Sequence, residues 1–382
     1  MKILIAGDFV PQERVLKRIY EKDYYSVFEE LKPYIETCDY SILNLEAPIV
    51  SKSTMAEPIH KVGPSLSVPV ETAYVIRDAG FNCVTLANNH ILDFGGNVLL
   101  DTLRILDENC LFHVGAGRNL DEASKVLFLK NGIQTISIVN FCEREFSVAE
   151  KDSPGAFPMD MVKNYRQVQY AKQNSDFVIV IVHGGHELYR LPSPRMKEYY
   201  RFLVDAGSDA VVNHHQHCSS GYEVYSGKPI FYGLGNLCFD TSARRYSSWN
   251  YGYFVILSIG ADISFEVVPY SQCLEKPVVR ILNGEELSSF TKEIKDLNSI
   301  IEDDEELESS FGDYVKSKQS EMFFRLSRYN GKVLRSMFHH HLLPRRPGKN
   351  RALKMLNLLE CESQRDLVTR TLSIYVNEDD KK

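Results

Sequence analysis

Short apolar runs recur along the chain at residues 3–6, 40–45, 83–87, 135–140, 177–182, 210–212, 229–234 and 253–259. Runs of this length, closed by Gly, Asn, Asp or Pro, read as strands buried on both faces. Between several of them lie longer segments, 15–31, 98–109, 161–172 and 194–206, whose apolar positions return every three or four residues, as on one face of a helix. Strands alternating with helices predict an α/β architecture with sheet layered between helices. Beyond about residue 280 the pattern turns helical, over 284–297, 305–326 and 351–376, with an acidic segment at 302–306 and a basic, Pro/Gly-containing loop at 344–351. The expected organisation is a body at 1–275 and a helical extension at 276–382 packed on it.

In open α/β sheets ligands gather where loops leave the carboxyl ends of strands, so the residues after each run carry the chemistry. Those residues are Gly7-Asp8, Asn44-Leu45-Glu46, Asn88-Asn89-His90 with Asp93, His183-Gly184-Gly185-His186-Glu187, His214-His215-Gln216-His217 and Gly235-Asn236. Any one of these is more often a cap or a turn than a site. Six together call for a common purpose. Neutral imidazole is the commonest metal ligand, and His215 and His217, at i and i+2 of an extended chain, would project to one side. Carboxylate, imidazole and amide oxygen together suit one or two divalent ions such as Mn, Zn, Fe or Mg rather than a thiolate-rich structural zinc. Such a site activates water and clamps phosphoryl oxygens, so hydrolysis is the expected reaction class.

Composition narrows the partners. Among 382 residues, 44% are apolar and 25% charged, as in ordinary globular proteins, and no apolar stretch approaches the ~20 residues of a membrane span. The N-terminal Met1-Lys2-Ile3-Leu4 runs straight into a strand pattern without a signal-peptide core, so a cytoplasmic protein is expected. A net charge of -7 argues against a nucleic-acid partner held by bulk electrostatics. The eight cysteines form no C-x-x-C pair, and reduced thiols are expected.

The ordered set Gly7-Asp8, Asn44-Leu45-Glu46-Ala47-Pro48, Ala87-Asn88-Asn89-His90 with Asp93 and Gly95, His183-x-Gly185-x-Glu187, His214-His215-x-His217 and Tyr232-Gly233-Leu234-Gly235-Asn236 resembles the CapA-type capsule-synthesis family over residues 2–275. Residues 356–366 also look like the end of some members. That family is associated with bacterial capsule and poly-γ-glutamate biosynthesis and is related in fold to calcineurin-like metallophosphoesterases. The resemblance implies an α/β fold of the metallophosphoesterase-like type, a β-sandwich flanked by helices (αββα), followed by the C-terminal helical extension. It implies Asp8, Glu46, Asn89, His183, His215 and His217 as metal ligands, Glu46 being the bridging acid, and His90 as the group that stabilises or protonates the leaving oxygen. Two departures stand out. Val10 occupies the place of a ligand histidine, and Glu46 replaces an aspartate, so either one metal position is weak, or His214, His186 or Glu187 compensates, or the site holds a single metal.

Alternatives stay open at single residues. His90 with Asp93 is either a catalytic pair or a helix-start motif. Glu187 is a ligand, a base, or, as preferred, the carboxylate that orients His183. Asn44, Lys61, His186, His214 and Asn236 are candidate substrate contacts, against a surface lysine at Lys61 and a tight turn at Asn236. His339-His340-His341 and the basic Arg345, Arg346, Lys349 and Arg351 read as surface features. The expected function is a metal-dependent hydrolase acting on an anionic phosphoester, glycan phosphate or polyglutamate alongside capsule-synthesis proteins. The alternatives are an accessory polymer-binding component and a γ-glutamyl amide hydrolase or transferase.

Overall fold

The computed structural model describes residues 1–379 apart from Met55, Val62, Ile133, 327–331, 341 and 343–347, so His341, Arg345 and Arg346 lie outside the described residues. The principal strands are β1 (Lys2–Phe9), β2 (Tyr40–Leu45), β3 (Cys83–Thr85), β4 (Phe112–Val114), β5 (Leu127–Asn131), β6 (Gln134–Cys142), β7 (Phe177–His183), β8 (Ala210–His214), β9 (Tyr222–Tyr225), β10 (Lys228–Phe231), β11 (Asn236–Cys238), β12 (Tyr251–Ile259), β13 (Ile263–Gln272) and β14 (Val279–Ile281). Among the described residues one sheet has eight strands in the order β14-β13-β12-β1-β2-β3-β4, with β11 beside β1, and the other has six in the order β9-β10-β8-β7-β6-β5.

Side-chain alternation stacks these sheets. Ile3 and Ile5 of β1 and Ile42 of β2 meet Ile136 and Ile138 of β6, Ile179 and Ile181 of β7 and Val212 of β8 in one buried cluster. The residues between them point the other way. Leu4, Ala6 and Leu43 pack with Val15, Ile19, Val75, Ile76 and Leu99 of covering helices, and Val178, Val180, Val182 and Val211 pack with Val168, Met196, Tyr200 and Leu203 of the helices Met161–Asn174 and Pro194–Asp205. Helix, sheet, sheet and helix therefore lie in four layers, the αββα arrangement expected.

β1 runs parallel to β2 and β7 runs parallel to β6 and β8, whereas β12 lies antiparallel to β1, and the carboxyl ends of the parallel strands reach one edge of the sandwich. Gly7 sets the close approach there. A Cβ on it would lie 1.8 Å from Gly235 O, next to the hydrogen bond from Asp8 N to Gly235 O at 3.2 Å. Gly7→Ala should therefore cost about 3 kcal/mol in urea unfolding, at the upper end of ordinary overpacking, whereas alanine at helical Gly312, beside which nothing lies within 4 Å, should cost less.

Some elements differ from the sequence pattern. The helix expected over 15–31 stops at Tyr20, because Lys22 turns into the left-handed region (φ 58°) and Val27, Phe28 and Leu31 reach the core through 3₁₀ turns. The helix expected over 351–376 is two, Lys349–Glu360 and Glu362–Asp379, with extended backbone at Cys361 between them. Strand β13 was hidden because its first half alternates half-buried and exposed positions instead of forming a continuous apolar run, and β14 extends the sheet past residue 275 by pairing with it. In the extension, helix Gly284–Glu302 lays Phe290 and Ile294 on the inter-sheet core, and helix Asp304–Leu326 packs Phe311, Val315 and Met322 against Leu358, Leu367 and Val368. No helix among the described residues is long and apolar enough to cross a membrane.

Candidate metal centre

Asp8 is the last residue but one of β1, Glu46 follows β2, His183 ends β7, and His215 and His217 follow β8. Alternation alone does not bring the two histidines together, contrary to expectation. The strand ends at His214, and His215 and His217 take left-handed backbone (φ 89° and 55°), a conformation that costs energy at residues other than glycine and clusters at functional sites. His215 N donates to Asp8 Oδ2 at 3.2 Å, which pins the loop to β1.

The result is two triads of ligand-type atoms, Glu46 with His183 and His215, and Asp8 with Glu46 and His217, each set within 4.8 Å. Glu46 belongs to both. Its Oε1 lies 3.4 Å from His183 Nε2 and 3.6 Å from His217 Nε2. Asn89 Oδ1 lies 3.0 Å from His183 Nε2, and His215 Nδ1 lies 3.1 Å from the same nitrogen. Neither carboxylate oxygen of fully buried Glu46 has a hydrogen-bond partner. Burial first, then Asp8, Glu187, Asp93 and Glu145, push its pKa well up. A buried, unpartnered acid among other acids asks for a cation. Burial, and then the neighbouring histidines, drive His183 well below its usual value, leaving the neutral imidazole that ligates metal. The donor set fits a divalent ion.

Around this core the partners are specific. Asn236 Oδ1 lies 2.8 Å from His217 Nδ1, while its amide donates to His217 O and Trp249 O at 3.1 and 3.2 Å. Asn236 is thus occupied by protein, and its place is behind His217 rather than against a substrate. Asn44 is likewise internal, donating to Asp8 Oδ1 at 2.7 Å and accepting from Asn88 at 3.3 Å. His214 turns toward the inter-sheet layer, its Nε2 3.0 Å from Ala6 O, so it does not stand in for Val10, which is itself buried in the apolar core. His186 packs beside Phe311 and Tyr314 of the extension, with ring centroids 5.4 and 5.5 Å away. Burial lowers it to about 4.

His90 Nδ1 lies 2.7 Å from Asp93 Oδ2, and Lys61 Nζ lies 2.5 Å from Asp93 Oδ1. Lys61 is therefore not a surface lysine, since its side chain is 3% exposed. Burial outweighs the Asp93 hydrogen bond and lowers His90. A cleft of about 320 Å³ opens over the centre, lined by Lys61, Asn89, His90, His186, Glu187 and His215 on the body. Glu187 faces this cleft. Burial raises it, but His217, His215 and His90 outweigh that and hold it below the usual carboxylate value. Two charged residues of the body escaped the sequence reading: Glu145 and Arg244 also line the cleft. Glu145 follows β6, so applying the strand-end rule to the run at 135–140 would have found it. Arg244 lies in a short 3₁₀ turn that no periodicity marks.

The chain is 32% identical over 254 residues to the capsule biosynthesis protein CapA of Bacillus anthracis, covering 64% of this chain and 61% of that protein. It is 33% identical over 245 residues to the PGA biosynthesis protein CapA of Bacillus subtilis (strain 168), covering 63% of each. The match thus spans somewhat less than two thirds of the length of these relatives. Among solved structures, a novel phosphatase from Mycoplasma pneumoniae overlaps with a TM-score of 0.45 at 15% identity, over 72% of this chain and 95% of that one. The model of the bacterial capsule synthesis protein PGA_cap family matches residues 2–241, well over half of the chain, and the chain belongs to that family.

Proposed function

We propose that this protein is a metal-dependent hydrolase acting in the synthesis of a bacterial surface polymer of the capsule or polyglutamate type, together with other proteins of that synthesis. The observation that carries the reading is the pair of triads meeting on Glu46, both of whose oxygens are buried without a partner. One or two ions of Mn, Zn, Fe or Mg held there would supply Lewis acidity toward attacking water and toward the oxygen on which charge develops. Asp8 and His217 would hold one position with Glu46, and His183, His215 and Asn89 the other. Val10 leaves three protein ligands on the Asp8 side, the number a catalytic zinc site keeps.

The remaining residues manage protons and orientation. Asp93 fixes His90 through Nδ1, which turns Nε2 toward the cleft, where it is placed to protonate a leaving group. Lys61 holds Asp93 in turn. Asn236 Oδ1 accepts a hydrogen bond from His217 Nδ1–H and so leaves Nε2 free for the cation shared with Glu46. Asn236→Ala should lower zinc affinity about 10- to 100-fold, the usual loss when a ligand's outer partner is removed, with the change read by competition with a chelating dye.

Elemental analysis of the purified protein, with turnover of bis(p-nitrophenyl) phosphate and of γ-linked polyglutamate, tests the proposal. Bound metal with Mn- or Zn-stimulated hydrolysis supports it, and absence of both overturns it. A second reading, a polymer-binding accessory protein, is favoured by Val10 alone. It predicts that cells carrying His215→Ala make polymer at the normal rate. Cytoplasmic residence is part of the proposal and is checked by cell fractionation.

A further inference from the structure

The cleft above the centre carries both signs of charge. On the body, Glu145 and Glu187 face it, and among the described residues neither has a hydrogen-bond or ion-pair partner. Arg244, also on the body, and Lys318, on the extension helix Asp304–Leu326, line the same space, and among the described residues neither forms an ion pair with a carboxylate. Lys318 stands 5.7 Å from the ring of Tyr314. His186, 3% exposed, lines the cleft as well, and its Nε2 has no hydrogen-bond partner. A cleft of about 320 Å³ has the size of a small-ligand pocket.

These groups would be poorly served by a substrate of one sign. A phosphodiester brings only negative charge and would stand against Glu145 and Glu187. An α-amino acid unit brings an ammonium and a carboxylate a few bonds apart, together with an amide that a neutral imidazole can hydrogen-bond. We infer that the cleft recognises the free amino end of a γ-glutamyl-type chain, its ammonium held by Glu145 and Glu187 and its carboxylate by Arg244 and Lys318. This inference rests on the hydrolase reading for its substrate class and assigns the helical extension a part in selecting that substrate.

The test is calorimetric titration of the full chain, metal-free and again zinc-loaded, with a γ-linked triglutamate, its N-acetyl form and bis(p-nitrophenyl) phosphate. N-acetylation removes the ammonium without touching the protein, so misfolding cannot imitate its effect. The expected result is binding of the free trimer and at least about tenfold weaker binding of the acetylated one, the loss of one charged contact. Lys318→Ala and Glu145→Gln should each weaken the free trimer by a similar factor. Equal binding of both trimers, or binding of the phosphodiester but of neither trimer, overturns the inference. Elemental analysis on the same samples keeps the two readings apart. Full metal content with indifference to acetylation sinks only the inference, whereas amine-dependent binding by a protein that takes up no metal sinks only the hydrolase reading.

Discussion

Glu46→Gln is expected to empty both metal positions at once. Glu46 is the residue common to the two triads, within 3.4 Å of His183 Nε2 and 3.6 Å of His217 Nε2. Glutamine keeps the shape but offers one neutral oxygen where two charged ones stood. Losing a partner behind a ligand costs about 10- to 100-fold in affinity, so losing a shared ligand should cost at least the upper figure at each position. Elemental analysis after dialysis against a fixed zinc concentration reads this directly. Two retained equivalents would mean that Glu46 does not bridge. His183→Ala or His217→Ala should by contrast remove one ion preferentially.

In metal-free protein the same substitution should have the opposite sign. The Glu46 pKa is raised in the folded state by burial and by Asp8, Glu187, Asp93 and Glu145. The folded protein then holds that proton more tightly than the unfolded chain, so stability falls as pH rises above the ordinary glutamate value near 4.3 and continues to fall until the folded group ionises. Glutamine never ionises. Metal-free Glu46→Gln should therefore melt above metal-free wild type at pH 7, by about a degree or more for each kcal/mol relieved, and the two should converge near pH 4. With zinc present the order reverses, because wild type alone gains the binding energy. Differential scanning calorimetry with and without a chelator gives all four curves.

The layers and the candidate metal centre were legible in the sequence for one reason: each buried strand ends in a polar residue at the same edge, and linear order records that. Asp8, Glu46, Asn89, His183, His215 and His217 could be gathered by this rule without knowing any distance. What the rule could not separate was a residue of the candidate cluster from one that is held behind it. Asn236 and Asn44 follow strands just as Asp8 does, yet every polar atom they offer is taken up by neighbours. Direction of projection decides that, and it depends on the bulge in β1 between Ile5 and Asp8 and on left-handed residues at 215 and 217 that no period encodes. The same limit hid the roof of the cleft. Lys318 sits on a helix read correctly as a helix, but its place in the wall of the cleft follows from how the extension docks, through contacts between residues some two hundred positions apart.

That docking has a polar lock, and Arg195→Ala is expected to break it. Glu143, fully folded into the interior at 4% exposure, accepts from Arg195 Nη2 at 2.8 Å, from Ser363 Oγ at 2.5 Å and from Ser363 N at 3.2 Å. Arg195 Nε also donates to Asp366 at 2.6 Å, while Arg144 N donates to Glu362 at 2.8 Å. Burial pushes Glu143 up, but Arg195 and Ser363 outweigh it and hold the carboxylate below its usual value. Removing the guanidinium leaves two carboxylates without their counter-charge, a loss of about 3–5 kcal/mol for a buried pair. Because the lock joins body to extension, helix Glu362–Asp379 should come loose before the sandwich does. Limited proteolysis should then cut the extension of Arg195→Ala while the body survives, and uniform resistance at wild-type rates would exclude the lock. The pH dependence follows from two opposed acids. Glu143, lowered, adds stability above the ordinary glutamate value that is lost as pH falls through its folded value. Glu362, pushed up to about 7 by burial and by Glu143, withdraws stability as pH rises from the ordinary value toward 7. Glu362→Gln should accordingly protect the extension at pH 8 and leave it unchanged at pH 4.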